Sequence, residues 1–145
     1  MTKKNLLIFI PSIDGWGVEK NFFLITNYLS KNFSNVSLIT SDKSIKKKIS
    51  NKVNLVGPNS NFWRSKSRYS KYFICIIYLV MFLLFNRNTL VFAFQANIYA
   101  ILISKIFGKK VITRSNSSSE GWSKNFIKKF IYKIFLRLAD QVIVN

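Results

Sequence analysis

The sequence predicts an α/β protein with a doubly wound, mostly parallel sheet and helices on both faces. Short apolar runs bounded by polar residues alternate with longer stretches of helical period along the chain. The runs are continuously apolar, as expected for parallel strands that are buried on both faces. The first run leads through a glycine-containing loop into a helical pattern, as a βαβ arrangement requires. In such a sheet, ligands bind outside the carboxyl ends of the strands.

Six apolar runs predict the strands of this sheet. β-Branched and aromatic residues dominate them, and polar or turn-forming residues bound them. In chain order they cover residues 6–10, 36–40, 53–56, 90–94, 111–113 with its flanks, and 142–144. We expect these strands to be buried.

Two helices between the strands follow from apolar spacing. Val18, Phe22, Ile25 and Leu29 recur at i, i+4, i+7 and i+11, which places them on one helix face. A second apolar segment covers residues 96–107 and stops at Gly108, a residue that suits a helix C-terminus.

The uncharged stretch 72–85 predicts a third helix. It is shorter than the ~20 residues that span a bilayer, so we expect a buried core helix rather than a membrane span. The preceding residues 59–71 are Ser-rich and basic with three aromatic residues, which predicts an exposed loop. Such a loop suits a substrate, or single-stranded nucleic acid whose bases stack on the rings.

A basic amphipathic helix is predicted for residues 124–138. A rotation of 100° per residue places Lys128, Lys129, Lys133 and Arg137 opposite an apolar arc. Two interpretations stay open, because the arc suits either the outer face of the sheet or an anionic membrane. The arc consists of Phe126, Ile127, Phe130, Ile131, Ile134, Phe135 and Leu138.

Composition limits the classes of function. The 145 residues suffice for one domain with a core, and 23 basic against 5 acidic residues give a net charge of +18. This charge predicts an acidic partner such as phosphate, nucleic acid or an anionic leaflet. Compositional drift is an alternative cause of part of the charge, because the chain is also rich in Asn, Ile, Phe and Ser, as an AT-rich coding sequence would make it. Cys75 is the only cysteine and there is no histidine, so we expect no disulfide framework, no metal site and no self-contained hydrolase. No signal peptide is indicated, and a reducing cytoplasm is compatible.

The loop after the first strand is the leading candidate site. Gly15 and Gly17 precede the helix that opens at Val18. Glycines let backbone N–H groups approach an anion, and the helix N-terminus adds partial positive charge, so this geometry suits a diphosphate. A dinucleotide site with Asp42 as the ribose-binding acid is the alternative, although Lys20 stands where that motif has its third glycine.

Three segments carry a resemblance to a known family. Residues 10–20, followed by Asn27-Tyr28-Leu29-Ser30, resemble the N-terminal signature of family 4 (group 1) glycosyltransferases, in which a Gly-Gly-x-Glu-Arg-like loop precedes the first helix. Residues 111–123 and 139–145 resemble later landmarks of the same domain, in the same order and with similar spacing.

The resemblance implies a GT-B enzyme, in which two Rossmann-like domains face a cleft. The C-terminal domain mainly holds a nucleotide-sugar donor, and the N-terminal domain mainly holds the acceptor. Residues 1–145 would be the N-terminal, acceptor-side domain, truncated at its C-terminal end and without the donor-binding domain, so we expect no transfer by this chain alone. The enzyme would be a retaining, metal-independent transferase of the hexosyltransferase type, with the nucleotide-sugar as substrate and no cofactor.

The same resemblance implies roles for individual residues. Gly15 and Gly17 would lie beside the donor diphosphate and stabilise charge on the departing nucleotide. Arg114 and Asn116, on the loop leaving the fifth strand, would face the cleft and contact acceptor or phosphate. Some members place a histidine at the position of Gln95, so no histidine-based role is carried over, and the catalytic residues stay unassigned. The acceptor or cleft residues are Glu19, Lys20, Gln95, Arg114 and Asn116.

The expected function is sugar transfer to a saccharide or lipid-linked acceptor in cell-surface polysaccharide or lipopolysaccharide biosynthesis. We expect a cytoplasmic protein, peripheral at the inner face of the cytoplasmic membrane and in contact with anionic lipid, without a nucleic-acid partner. One alternative is a basic module that binds nucleic acid or a membrane surface, using Phe62-Trp63-Arg64. The other is a fragment of an NAD(P)-dependent oxidoreductase.

Overall fold

The computed structural model describes residues 5–13, 18–58, 61–95, 97–115 and 126–144. In this part of the chain six strands form one sheet in the order β3-β2-β1-β4-β5-β6, and every pair of neighbouring strands is parallel. The strands are β1 (Asn5–Phe9), β2 (Asn35–Ile39), β3 (Val53–Val56), β4 (Thr89–Ala93), β5 (Lys110–Ser115) and β6 (Gln141–Val144). The predicted Rossmann-like α/β fold is confirmed.

Helices cover both faces of the sheet. The α-helices are α1 (Val18–Asn32), α2 (Arg68–Phe85), α3 (Asn97–Ile106) and α4 (Phe126–Arg137), and two 3-10 helices cover Lys43–Lys48 and Asn61–Ser65. α1 and the first 3-10 helix pack into one core cluster, whereas α2, α3 and the end of α4 pack into a second cluster on the opposite face. The predicted helices at 18–29 and 96–107 are confirmed for their described residues, and Gly108 follows α3 with a positive φ of 63°.

β1 occupies the centre of the sheet and contributes to both clusters. Leu6 and Ile8 belong to the α1 side, and Leu7 and Phe9 belong to the α2 side, because successive side chains of a strand point to opposite faces. All four are at most 2 % exposed. This two-sided burial explains why the strand is a continuous apolar run.

The segment around α2 differs from the sequence-based prediction. Within the expected loop at 59–71, a 3-10 helix covers Asn61–Ser65 and α2 already begins at Arg68. The Ser67 hydroxyl accepts a hydrogen bond from the Ser70 N–H at the start of α2. The expectation of a buried core helix was wrong: only Cys75, Leu79 and Leu83 of α2 are buried. The helix is apolar on all sides, but the sheet contacts only one of them.

The last two elements are also more exposed than predicted. Among the described members of the apolar arc of α4, Phe130, Ile131, Ile134 and Leu138 are 40–58 % exposed, so the arc does not pack fully on the sheet. α4 instead contributes Leu136, with Ala139 just beyond its end, to the second core cluster. β6 is an edge strand, and its four residues are exposed rather than buried.

Candidate functional site at the carboxyl edge of the sheet

The connections leaving β1 and β4 diverge at the carboxyl edge of the sheet. β1 leads to α1 on one face, and the neighbouring β4 leads to α3 on the other. A doubly wound sheet opens a crevice at such a switch point, since no connection covers the gap between the two strands. The crevice between β1 and β4 is therefore where a ligand site is expected.

Gln95 joins the two strand exits at this switch point. The backbone N–H of Ser12, just beyond β1, donates a hydrogen bond of 3.2 Å to Oε1 of Gln95, just beyond β4. Gln95 was a predicted cleft residue, and the structure brings it beside the segment that leads into the glycine loop. Its side chain therefore links the exits of β1 and β4.

Arg114 is a buried cation at the same edge. It lies within β5, not on the loop after β5 as predicted, and it is only 4 % exposed. Its guanidinium carbon lies 5.8 Å from the centroid of the Phe94 ring. Among the residues that the structure describes, its Nη1 has no hydrogen-bond partner. A buried guanidinium nitrogen without a partner has lost its hydration without replacement, which is unfavourable unless an anion occupies the site.

Aromatic rings connect Arg114 to the beginning of α1. Phe94 meets Phe22 of α1 edge-on, with the ring centroids 5.3 Å apart. Phe22 lies in the second turn of α1, whose N-terminus directly follows the glycine loop. The buried cation and the positive end of a helix dipole therefore lie on the same face of the sheet.

The described acidic side chains have partners elsewhere. Asp42 Oδ1 accepts a hydrogen bond of 2.9 Å from the Ser44 N–H and caps the first 3-10 helix. Asp140 Oδ2 lies 2.7 Å from Lys105 Nζ and also accepts from the Val111 N–H. The hydrogen bond from the Lys105 ammonium makes the largest contribution to lowering the pKa of Asp140, and the hydrogen bond from the Val111 N–H lowers it further. Among the residues that the structure describes, no carboxylate pairs with Arg114.

Two neighbouring polar side chains were missed by the sequence analysis. Asn97, the first residue of α3, donates through Nδ2 to the backbone carbonyl of Arg114 at 2.9 Å. Its buried Oδ1 has no hydrogen-bond partner in the described part of the chain. Thr113 Oγ1 is likewise buried without a hydrogen-bond partner among the described residues. Asn97 could have been found as a polar residue that opens a helix directly after a strand. Buried hydroxyls without a partner among the described residues also occur inside helices, at Thr26 and Ser104. Arg114 differs from them because its unpartnered atom belongs to a charged group.

Several predicted site residues lie outside the described residues. These are Gly15, Gly17 and Asn116, together with the side chain of Glu19. Lys20 is exposed on the first turn of α1. Of the predicted site residues whose side chains the structure describes, Gln95 and Arg114 lie at the carboxyl edge of the sheet.

Close backbone packing holds the exits of β1, β2 and β3 together. The Ser41 hydroxyl donates a hydrogen bond of 2.6 Å to the Pro11 carbonyl. A Cβ atom added to Gly57 would lie 2.3 Å from the Thr40 carbonyl oxygen, so glycine is required where β3 leaves the sheet. The three strand exits are therefore closely packed on this side of the switch point.

Cys75 has the environment of a structural thiol. It is fully buried, its Sγ donates toward the Pro11 carbonyl at 3.9 Å, and burial raises its pKa to about 12. A thiol in this state is a poor nucleophile near neutral pH, because the thiolate is the reactive form. In the described part of the chain, no cluster of three His, Cys, Asp or Glu side chains is suited to hold a metal ion.

The aromatic rings in the segment before α2 contact side chains of the same segment. Phe62 and Trp63 meet edge-on at 5.7 Å, and Lys66 Nζ lies 3.9 Å from the Phe62 centroid. Stacking of nucleic-acid bases needs open ring faces. A lysine over one face of Phe62 therefore reduces the surface available for bases.

A polar hollow lies at the opposite, amino edge of the sheet. It is lined mainly by amides, and the Asn35 amide group donates to the Asn5 side chain at 3.1 Å. Its lining includes Asn5, Asn35, Lys52, Asn54, Phe82 and Asn86. None of the described residues that line this hollow is an Asp, Glu, His or Cys.

Comparison with known proteins does not identify a family for this chain. No protein-family model and no curated protein matches this sequence. Within the described residues, α2 has the length and composition of a membrane-crossing helix, although a soluble core helix can share these properties.

Proposed function

We propose that this chain is the acceptor-side domain of a glycosyltransferase that uses a nucleotide-sugar donor. The buried Arg114, with an unpartnered nitrogen at the carboxyl edge of a Rossmann-like sheet, is the observation that carries the proposal. Its acceptor would be a saccharide or a lipid-linked saccharide, in the assembly of a cell-surface polysaccharide or lipopolysaccharide. The protein would act peripherally at the cytoplasmic face of the membrane.

A phosphate group meets the requirements of Arg114. A phosphate oxygen would supply the missing acceptor for Nη1 and the counter-charge for the guanidinium, whose planar fork suits phosphate. Gly15 and Gly17 would add backbone N–H donors to the same diphosphate. Gln95, Glu19, Lys20 and Asn116 would line the cleft around it.

The proposed transfer needs electrostatic stabilisation rather than a metal. Negative charge develops on the departing nucleoside diphosphate, and fixed N–H groups with a buried cation stabilise this charge without reorganisation. A second, donor-binding domain would provide the remaining contacts and retention of configuration. The chain alone would therefore bind anions but transfer no sugar.

The alternatives have less support. In the oxidoreductase hypothesis Asp42 binds a ribose, but its side chain caps the 3-10 helix Lys43–Lys48. In the nucleic-acid hypothesis the 3-10 helix Asn61–Ser65 stacks bases, but Lys66 lies over a face of Phe62.

Thermal unfolding of the whole chain with added pyrophosphate or UDP tests the anion site. Arg114→Gln removes the guanidinium, and Lys52→Gln removes one exposed charge at the amino edge as a matched control. We expect both ligands to raise the Tm of the wild type and of Lys52→Gln, but not of Arg114→Gln. An equal rise in all three proteins would show that the anion binds by net charge alone, which contradicts the proposed site.

Translation of the coding DNA beyond the Asn145 codon tests the enzyme class. A second α/β domain with a Glu-x7-Glu-like pair would support a glycosyltransferase. A continuation that encodes an unrelated domain would overturn it, even if pyrophosphate binds at Arg114.

A further inference from the structure

The outer side of α2 carries a continuous row of exposed apolar side chains. Tyr69, Phe73, Ile77, Met81 and Phe85 follow at intervals of four residues, and Leu84 lies beside the last of them. These six residues, here named the α2 stripe, are 39–84 % exposed. At 1.5 Å per residue the stripe extends over about 24 Å. A patch of this length on a folded domain marks a contact surface.

The inner side of the same helix is fixed to the sheet. Cys75, Leu79 and Leu83 are buried in the second core cluster with Leu7 and Phe9 of β1. A helix held along its length by the sheet has only one side free, so it cannot cross a bilayer while the domain is folded. It can lie parallel to a membrane surface with its free side in the lipid.

Basic residues flank both ends of the α2 stripe. Lys66 and Arg68 are exposed at its N-terminal end, where Arg68 lies 5.6 Å from the centroid of the Tyr72 ring. At the C-terminal end, Lys109 Nζ donates to the backbone carbonyl of Arg87, which places two cationic residues together. No Asp or Glu occurs between Lys43 and Ser119. Both ends of the stripe are therefore positively charged.

This charge distribution distinguishes a lipid surface from a second copy of the chain. Parallel or antiparallel pairing of two α2 stripes would bring basic ends together without a compensating acid, in a chain of net charge +18. An anionic leaflet instead offers negative headgroups at both ends and acyl chains between them. Aromatic residues near a helix end, such as Tyr69 and Tyr72, are typical of the headgroup level.

We propose that the α2 stripe inserts into the interfacial layer of an anionic membrane leaflet, with the helix axis parallel to the membrane plane. This deepens the peripheral localisation in the proposed function and rests on it for the choice of the cytoplasmic leaflet. The inference of lipid insertion itself depends only on the α2 stripe and the basic residues at its ends.

Vesicle co-sedimentation of the whole chain tests the stripe. The vesicles contain phosphatidylcholine alone or mixed with phosphatidylglycerol. We expect Phe73→Ser/Met81→Ser to lower the partition coefficient for the mixed vesicles by roughly tenfold or more, because two side chains lose their transfer into lipid. Leu24→Ser, at a 63 % exposed position of α1 on the other face, is the matched control and should partition like the wild type.

A site-specific label gives a second readout. A polarity-sensitive fluorophore on Met81→Cys should shift to the blue with mixed vesicles, while the same label on Leu24→Cys should not. The native Cys75 is fully buried and therefore does not compete for the label.

Two results would overturn the lipid proposal. If salt abolishes binding and the stripe variant partitions like the wild type, the chain only adsorbs by charge. If sedimentation velocity shows a dimer that Phe73→Ser/Met81→Ser dissociates, a second copy covers the stripe. Arg114→Gln separates this proposal from the anion site, because it should lose the pyrophosphate response but bind vesicles normally.

Discussion

Replacement of the buried Arg114 by methionine should stabilise the chain in the absence of an anion. The substitution removes an unpartnered buried nitrogen, whose cost is about 1–3 kcal/mol. It also removes the cation–π contact with Phe94, which contributes about 0.5–1 kcal/mol. The Asn97 hydrogen bond goes to the backbone carbonyl and is retained. The net gain is about 1 kcal/mol in the free energy of unfolding, or roughly 3 °C in Tm.

Urea unfolding at low ionic strength measures this difference, with Arg114→Lys as the control that keeps a charge. A saturating anion should reverse the order of stability, since a ligand at 100 times its Kd stabilises the wild type by about 2.7 kcal/mol. If Arg114→Met instead loses 1 kcal/mol or more without ligand, the guanidinium is paired inside the fold, and the reasoning for an anion site fails.

Three further predictions concern the scaffold. Gly57→Ala should lower the free energy of unfolding in a urea titration by about 2 kcal/mol or more, because the added Cβ would clash with the Thr40 carbonyl oxygen. Gly108→Ala is the control: it has a positive φ but open space for a Cβ, so it should cost only about 1 kcal/mol. Asp140→Asn should lose about 1 kcal/mol at neutral pH, since a carboxylate whose folded pKa is lowered stabilises the fold above its unfolded pKa of about 4. The difference in stability between Asp140→Asn and the wild type should disappear as the pH falls through the folded pKa of Asp140. If the difference persists in acid, packing rather than the Lys105–Asp140 ion pair causes it. Cys75 should resist a thiol reagent at pH 8 in the folded chain and react after unfolding; rapid labelling of the folded chain would contradict its burial.

The strands were predictable because burial on both faces demands continuous apolar runs. All six observed strands coincide with predicted runs to within a few residues. β5 extends beyond its apolar run into the predicted flanks, since the strand continues through Arg114 and Ser115. These two residues pair with Ile143 and Val144 of β6, so a partner distant in sequence extends the strand.

For the helices, the sequence predicts the packed side only where the apolar residues follow a helical period. The periodic spacing of Val18, Phe22, Ile25 and Leu29 predicted α1, and the described side chains of Phe22, Ile25 and Leu29 pack in the first core cluster. α2 is apolar all round, so its composition predicted a helix but not which side meets the sheet. Its exposed stripe became visible only in the packed domain.

The sequence by itself determined the α/β class and the alternation of strands and helices. These properties depend on local periodicity and on the general handedness of parallel sheets. Tertiary structure decided the sheet order, the Ser12–Gln95 hydrogen bond, the burial of Arg114 against Phe94 and the exposure of α2. Each of these joins or separates residues that are far apart in the chain, and only packing fixes which groups lose water and which partners they find.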